Sequence, residues 1–206
     1  MYPHKRRVGN RDFIKKFVIS CEGSVTEKEY FTLLQTVCWQ YAFLDILTDK
    51  LKSSPDKVLG RIVDYGKSLK PGDELWCVID RDYWTADQIS MLMEWAKSGN
   101  GMVERHVAIS NPKFELWLLA HFQKLPAKCG ASECVRLLKQ YLPEYDKHLD
   151  GLIVSQEMIE SAIGQSVPTV PISSVGTNVG TLVDRITHAA FTANDTKETA
   201  PLSQSS

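Results

Sequence analysis

The sequence predicts an α/β fold: a mostly parallel central sheet flanked by helices, followed by a helical C-terminal extension. Short β-type segments at residues 17–21, 43–47, 75–79 and 103–109, of which 75–79 is a continuous apolar run, alternate with segments whose apolar positions recur at helical spacing. That βαβαβαβα order favours parallel strands covered on both faces. The length and composition agree: 206 residues, 43% hydrophobic and 24% charged, suit one globular domain that needs no disulfide or metal staple.

The chain opens on a basic arm, residues 1–14, ahead of a domain spanning 15–191 and a polar, disordered tail at 192–206. Within that domain the α/β core covers about 15–125 and the helical extension about 131–191. Residues 1–16 hold six bases (Lys5, Arg6, Arg7, Arg11, Lys15, Lys16) and one acid, Asp12. Their charge of +5 leaves −6 for residues 17–206 in a chain whose total is −1. A uniformly basic nucleic-acid binder is therefore excluded, while a basic arm on an acidic body is not. The arm is not followed by an apolar stretch, and no window approaches about 18 uninterrupted apolar residues, so neither a signal peptide nor a membrane span is expected. Five scattered cysteines (Cys21, Cys38, Cys77, Cys129, Cys134) read as buried thiols of a reducing compartment, which places the protein in the cytoplasm. The four-residue gap between Cys129 and Cys134 is wide for a structural zinc pair.

Each element has a local reason. Phe17-Val18-Ile19-Ser20-Cys21 is β-type and stops at Glu22-Gly23, where the glycine permits a sharp turn. Ser24 with Glu27, or Thr26 with Glu29, has capping-box spacing ahead of a helix carrying Tyr30, Phe31, Leu34, Val37 and Cys38. A second strand at 43–47 precedes an amphipathic segment that starts near Pro55 and ends at Lys70-Pro71-Gly72. Leu75-Trp76-Cys77-Val78-Ile79 ends in Asp80-Arg81-Asp82, and Thr85 with Gln88 caps the next helix. After the fourth strand, Asn111 reads as an N-cap and Pro112 as the first helical residue of a helix whose face is Phe114, Trp117, Leu118, His121 and Phe122. Residues 131–164 are helical but less regular, 167–178 is a loop, and Leu182, Val183, Ile186 and Ala190 suggest a short last helix. The sequence contains no internal repeat.

Three acids fall where parallel α/β sheets bind ligands, off the carboxyl ends of strands. Glu22 follows the first strand, Asp80 closes the third, and Asp82 lies two residues on, pointing the same way as Asp80 in extended chain. Clustered carboxylates repel unless a cation neutralises them, and Mg²⁺ prefers such oxygen donors. The same residues also fit structural duty, with Glu22 at a helix N-terminus and Asp82 capping a helix or pairing with Arg81.

Cys21-Glu22-Gly23 and the later Asp80-Arg81-Asp82 resemble the Toprim signature, a Glu-Gly turn followed by DxD. The stretches CEGSVTEKEYF, VIDRDYW, ISNPKFELWLLAHF and TNVGTLVDRI, in that order, resemble the RloB-like family over about residues 17–186. Those proteins occur in prokaryotic restriction-modification and other anti-phage defence loci. The resemblance implies a Toprim-like core and phosphodiester chemistry, by kinship with the Toprim domains of topoisomerases, primases and OLD-type nucleases. Glu22 matches the Toprim glutamate, a metal ligand or general acid–base, and Asp80 and Asp82 match the DxD metal ligands. Lys113 and Glu115 belong to the family's own motif. The sequence has no topoisomerase tyrosine domain, primase zinc module or GxxxxGK[ST] segment, so those activities are not implied.

The function expected on this basis is an effector nuclease using Mg²⁺ or Mn²⁺ and acting on DNA or RNA, tRNA included. Glu22, Asp80 and Asp82 would hold the metal. Glu115 would be a fourth carboxylate or general base, or else a surface glutamate of a first helical turn. Lys113 would offset phosphate charge or simply face solvent, and backbone N–H groups near Pro112 would receive a phosphate. Nucleic-acid contacts are assigned to Lys5, Arg6, Arg7, Arg11, Lys15, Lys16, Arg81, Trp84 and Asn111, with Tyr83 and Trp84 as stacking platforms or packing. His106 and His121 read as packed side chains. The partners expected are a nucleic-acid substrate, an ATPase encoded in the same locus and a second copy of the chain. The competing functions are a non-catalytic binding or sensing subunit, and a nucleotidyl-transfer or nucleotide-hydrolysing enzyme; no glycine-rich phosphate loop supports the last.

Overall fold

Apolar side chains alternate between two faces along each central strand, and this alternation organises the molecule. A computed structural model describes residues 14–50, 53–65, 69–81, 84–99, 101–170 and 174–198, with side chains through His188. The strands are β1 (Lys15–Cys21), β2 (Ala42–Leu47), β3 (Glu74–Asp80), β4 (Glu104–Asn111) and a two-residue β5 (Gly176–Thr177). The helices are α1 (Thr26–Cys38), α2 (Pro55–Tyr65), α3 (Ala86–Lys97), α4 (Glu115–Ala120), α5 (Ala131–Leu138), α6 (Gln156–Gly164) and α7 (Val179–Glu198). The sheet order is β2-β1-β3-β4-β5; the first four strands are parallel and β5 is antiparallel. The expected mixed α/β architecture with a mostly parallel sheet and a helical extension is the one observed.

Phe17, Ile19, Cys21, Trp76, Val78 and Ala108 point to one face, where α1, α4, α6 and α7 pack. Val18, Leu75, Cys77, Ile79, Val107 and Ile109 point to the other, against Val58 and Ile62 of α2 and Ile89 and Leu92 of α3. Both faces of the central strands are covered, which is why Leu75–Ile79 of β3 reads as an unbroken apolar run. Several polar groups inside this core are partnered, although the buried Trp117 Nε1 has no partner among the described residues. Ser20, fully buried, donates to the Val58 carbonyl at 2.8 Å, and Arg61 donates to the Cys21 carbonyl at 2.6 Å. These bonds lock α2 to the end of β1, one residue before Glu22. The capping box at Thr85 and Gln88 forms as expected.

Several local expectations give way to longer-range contacts. Neither capping box forms ahead of α1: its N-cap is Val25, with no side-chain cap. Glu27 instead accepts the Gly23 N–H at 2.8 Å, and Thr26 donates to the Lys147 carbonyl at 2.7 Å. Asn111 is not an N-cap, and Pro112 is not the first helical residue. Strand β4 continues through Asn111, the Asn111–Pro112 peptide is cis, and α4 begins only at Glu115. All six residues of α4 are buried, so it has no solvent face. The loop expected at 167–178 contributes β5, and α7 runs to Glu198, through the first part of the segment expected to be a disordered tail. No helix among the described residues is long and apolar enough to cross a membrane.

Candidate active site

Parallel pairing of β1 with β3 places Cys21 opposite Val78, so the residues that follow each strand end side by side. The Glu22 N–H continues the ladder by donating to the Val78 carbonyl at 2.9 Å. Its carboxylate turns across the sheet edge and accepts two bonds at Oε2, from the Asp80 N–H at 3.1 Å and from Trp84 Nε1 at 2.9 Å. Asp80 in turn accepts the Phe114 N–H at 2.8 Å through Oδ1. The cap expected from Asn111 is thus supplied by an acid 34 residues upstream of Phe114. It also consumes one of the backbone N–H groups proposed near Pro112 for phosphate.

These carboxylates open onto a cleft of about 700 Å³ whose lining also includes Lys50, Lys113, Glu115 and Lys147. Glu115 is no surface glutamate: it is 4% exposed, accepts the Tyr145 hydroxyl at 2.9 Å and has Lys113 Nζ at 3.6 Å. Burial, and then the Glu115 charge, raises the Tyr145 phenol above its ordinary range, so it stays a donor. Lys113 is likewise not a freely solvated lysine, because it is ion-paired and largely covered.

Glu27 is a cleft residue that sequence reasoning missed as a functional carboxyl. It is 6% exposed, and burial raises its carboxyl above the usual range, against the lowering effect of the Gly23 N–H bond. Glycine at 23 leaves room for the Glu27 carboxylate, since a Cβ there would lie 2.0–2.5 Å from it. Its four-residue offset from Gly23 was the available signal, but capping-box spacing gave that signal a different reading. Tyr145, Thr26 and Lys147 were also missed, because their meeting spans about 120 positions of sequence.

The remaining assignments divide. Glu22, Asp80, Trp84, Lys113 and Glu115 all line the cleft. Lys15 and Lys16 do not: they start β1, at the opposite end of the strand from Glu22, where Lys15 pairs with Glu74 and Lys16 donates to Tyr65 at 3.2 Å. Arg81 is turned inward to the Trp84 carbonyl, and Asn111 donates to the Ser174 carbonyl at 2.7 Å. Neither lines the cleft. Asp82, Tyr83, Lys5, Arg6, Arg7 and Arg11 lie outside the described residues.

A family model for RloB-like protein matches residues 17–186. The chain belongs to the RloB-like family. No curated protein and no solved structure matches it significantly. The matched span of this RloB-like chain runs from β1 into α7 and takes in both the cleft and the helical extension.

A second titratable cluster, not expected from the sequence, sits at the amino ends of β3 and β4. Glu74, Glu104 and His106 each bring a ligand atom within 4.8 Å of the others, close enough to hold a metal ion. The register pairs Glu74 with Glu104, and His106 lies two residues along the same strand. Two cations already serve this cluster. Arg185 bonds Glu74 at 2.6 and 2.9 Å and also meets Glu104, while Lys15 meets Glu74 from β1. Burial pushes the Glu74 carboxyl up, but bonds from Arg185, Lys15 and the Trp76 indole outweigh it and hold the carboxyl below its ordinary value.

His106 stacks on Trp76 and His121 is buried in an aromatic cluster, so both pack as expected. All five cysteines are free and buried. Cys129 and Cys134 have Sγ atoms 2.7 Å apart beside Leu116, and His121 and His148 are bonded elsewhere. Among the described residues no zinc-type cluster forms there.

Proposed function

We propose that this protein is a Mg²⁺- or Mn²⁺-dependent nuclease with a Toprim-like core, hydrolysing phosphodiester bonds of DNA or RNA as an effector of prokaryotic anti-phage defence. The observation that carries the reading is the meeting of Glu22 and Asp80 at the ends of adjacent parallel strands, in a cleft that also presents Lys50, Lys113 and Lys147. Acids flanked by cations suit a bound divalent ion facing a phosphate. The donor set fits, since Glu22 and Asp80 offer carboxylate oxygens, the ligands hard cations prefer, and Asp82 follows two residues later. When bound, the ion supplies positive charge to the scissile phosphate and to its attacking oxygen.

The protein's own groups supply the rest. Trp84 and the Asp80 N–H fix the orientation of the Glu22 carboxylate. Lys113 draws the phosphate towards the acids. Glu115, held by Tyr145 and beside Lys113, is placed to accept a proton from the attacking water. Trp84 stands at the cleft wall, where an unpaired base can stack. The basic arm, including Lys5, Arg6, Arg7 and Arg11, contacts the substrate backbone, and an ATPase encoded in the same locus restrains the activity in the cytoplasm.

A second reading, a non-catalytic nucleic-acid-binding or sensing subunit, is favoured by one observation. Glu22 and Asp80 already act as acceptors that fasten strand ends and α4 together. Incubating the protein with plasmid, single-stranded DNA and total tRNA in Mg²⁺, Mn²⁺ or EDTA separates the two. The nuclease reading expects metal-dependent cleavage lost in Glu22→Gln and Asp80→Asn. Cleavage that survives both substitutions removes the site, and binding without cleavage, even with the neighbouring ATPase added, selects the second reading.

A further inference from the structure

Between α5 and α6 the chain forms a strap, residues 145–149, whose Lys147 lines the cleft. It is bonded at every turn. Tyr145 donates to Glu115 at 2.9 Å and its hydroxyl lies 3.2 Å from Thr26 Oγ1, while the Lys147 carbonyl accepts from Thr26 at 2.7 Å. His148 Nδ1 and the Leu149 N–H both meet the Glu29 carboxylate at 2.7 Å. Tyr145 and Leu149 are buried, so the strap is anchored on both sides of its exposed middle.

At that middle, Lys147 has φ +95°, the left-handed region that disfavours a residue with a Cβ. Among the described residues it is the one non-glycine residue with positive φ. A turn needed only for chain reversal is best made with glycine or asparagine. A lysine held there by the hydrogen bonds around it indicates that the side chain, not the turn, is what the position requires. Lys147 lines the cleft with Glu22, Asp80 and Lys113, and its positive charge acts on the buried Glu27 carboxyl of the same cleft. A second groove of about 660 Å³ shares Ser24 and Val25 with the cleft and is lined by Lys28 and His148 together with Glu29 and Asp150.

We propose that Lys147 is a phosphate grip: its ammonium holds a backbone phosphate of a polynucleotide next to the one at Glu22 and Asp80, and the helical extension exists in part to present it. This rests on the nuclease reading for its substrate class but not on cleavage.

The test is binding of a fluorescein-labelled single-stranded oligonucleotide in Ca²⁺ across a salt series, with ATP as a competing mononucleotide. Lys147→Gly and Lys147→Asn relieve the backbone and should melt at or above the wild-type temperature, yet bind about tenfold more weakly. They should also lose about one unit of salt slope, while Lys147→Arg restores both. A purely structural turn predicts the same gain in stability with affinity and slope unchanged, which would overturn the grip. ATP competing as well as oligonucleotide would overturn the polynucleotide assignment. Lack of binding by wild type sinks both this proposal and the nuclease reading, whereas Lys147-dependent binding with no cleavage in Mg²⁺ or Mn²⁺, the neighbouring ATPase added, keeps the grip and removes the nuclease.

Discussion

The Glu22 carboxylate accepts the backbone N–H of Asp80 at 3.1 Å, so one acid of the cleft is fastened directly to the strand that carries another. The same oxygen takes the Trp84 indole N–H. Glu22→Gln retains an acceptor oxygen for both donors, and its stability should stay within about 1 kcal/mol of wild type. Glu22→Ala strands a half-buried indole and a backbone N–H and should lose about 2 kcal/mol. Metal-dependent cleavage should fall at least about a hundredfold in both. Denaturant melts run beside the cleavage assay separate loss of fold from loss of chemistry.

Gly23 and Glu27 form one unit. Gly23→Ala places a methyl where the Glu27 carboxylate sits, forcing that buried group from its N–H partner. A loss of about 1–3 kcal/mol is expected. Because the clash is with the end of a side chain, Gly23→Ala in a Glu27→Ala background should cost much less. The double-mutant cycle in urea reads this coupling directly, and additive losses would show that the added methyl disturbs the backbone instead.

The layered sheet and the Glu22–Asp80 meeting were legible because both follow from local pattern. Apolar runs mark the strands, and acids at the ends of neighbouring parallel strands must converge. The start of α4 was not legible. Asn111 and Pro112 carry the right residues for a helix start, but β4 keeps pairing through Asn111, and the cap comes from Asp80 across the sheet. Glu27 fits capping-box spacing from Ser24, yet its carboxylate turns to Gly23. The strap's contacts with Thr26 and Glu29 join parts of the chain about 120 residues apart, a separation at which no periodicity speaks.

At the other end of the sheet, Glu74 is fully buried and relies on Arg185 and Lys15. Arg185→Ala leaves Lys15 as its remaining cationic partner from that pair and should cost about 2 kcal/mol, reduced by the partial exposure of the arginine. The depressed Glu74 carboxyl stabilises the fold above its unfolded value, and that contribution is lost as pH falls through the folded one. Arg185→Ala should therefore flatten the acid limb of the stability profile. A chemical melt series on the acid side of neutrality checks the slope, and an unchanged slope would show that Lys15 alone holds the charge.

His121 gives the clearest pH dependence. Its Nδ1 lies 3.0 Å from the Trp117 carbonyl, which can only accept, so Nδ1 carries the proton and Nε2 accepts from the Tyr30 hydroxyl at 3.2 Å. Burial lowers its pKa to about 4, against 6.5 for a free ring. For a base with a depressed folded value, the unfolded chain binds the extra proton. Stability is thus full above about pH 6.5 and is lost progressively as pH falls towards about 4, by about 3 kcal/mol. His121→Leu alone removes that slope but leaves the buried Tyr30 hydroxyl unpaired, and it should lower stability at neutral pH by about 1–3 kcal/mol. Adding Tyr30→Phe removes the orphan and should recover most of the loss. Urea melts between about pH 4 and pH 7 measure both effects, and a slope that persists in the double variant would assign the acid sensitivity to other groups.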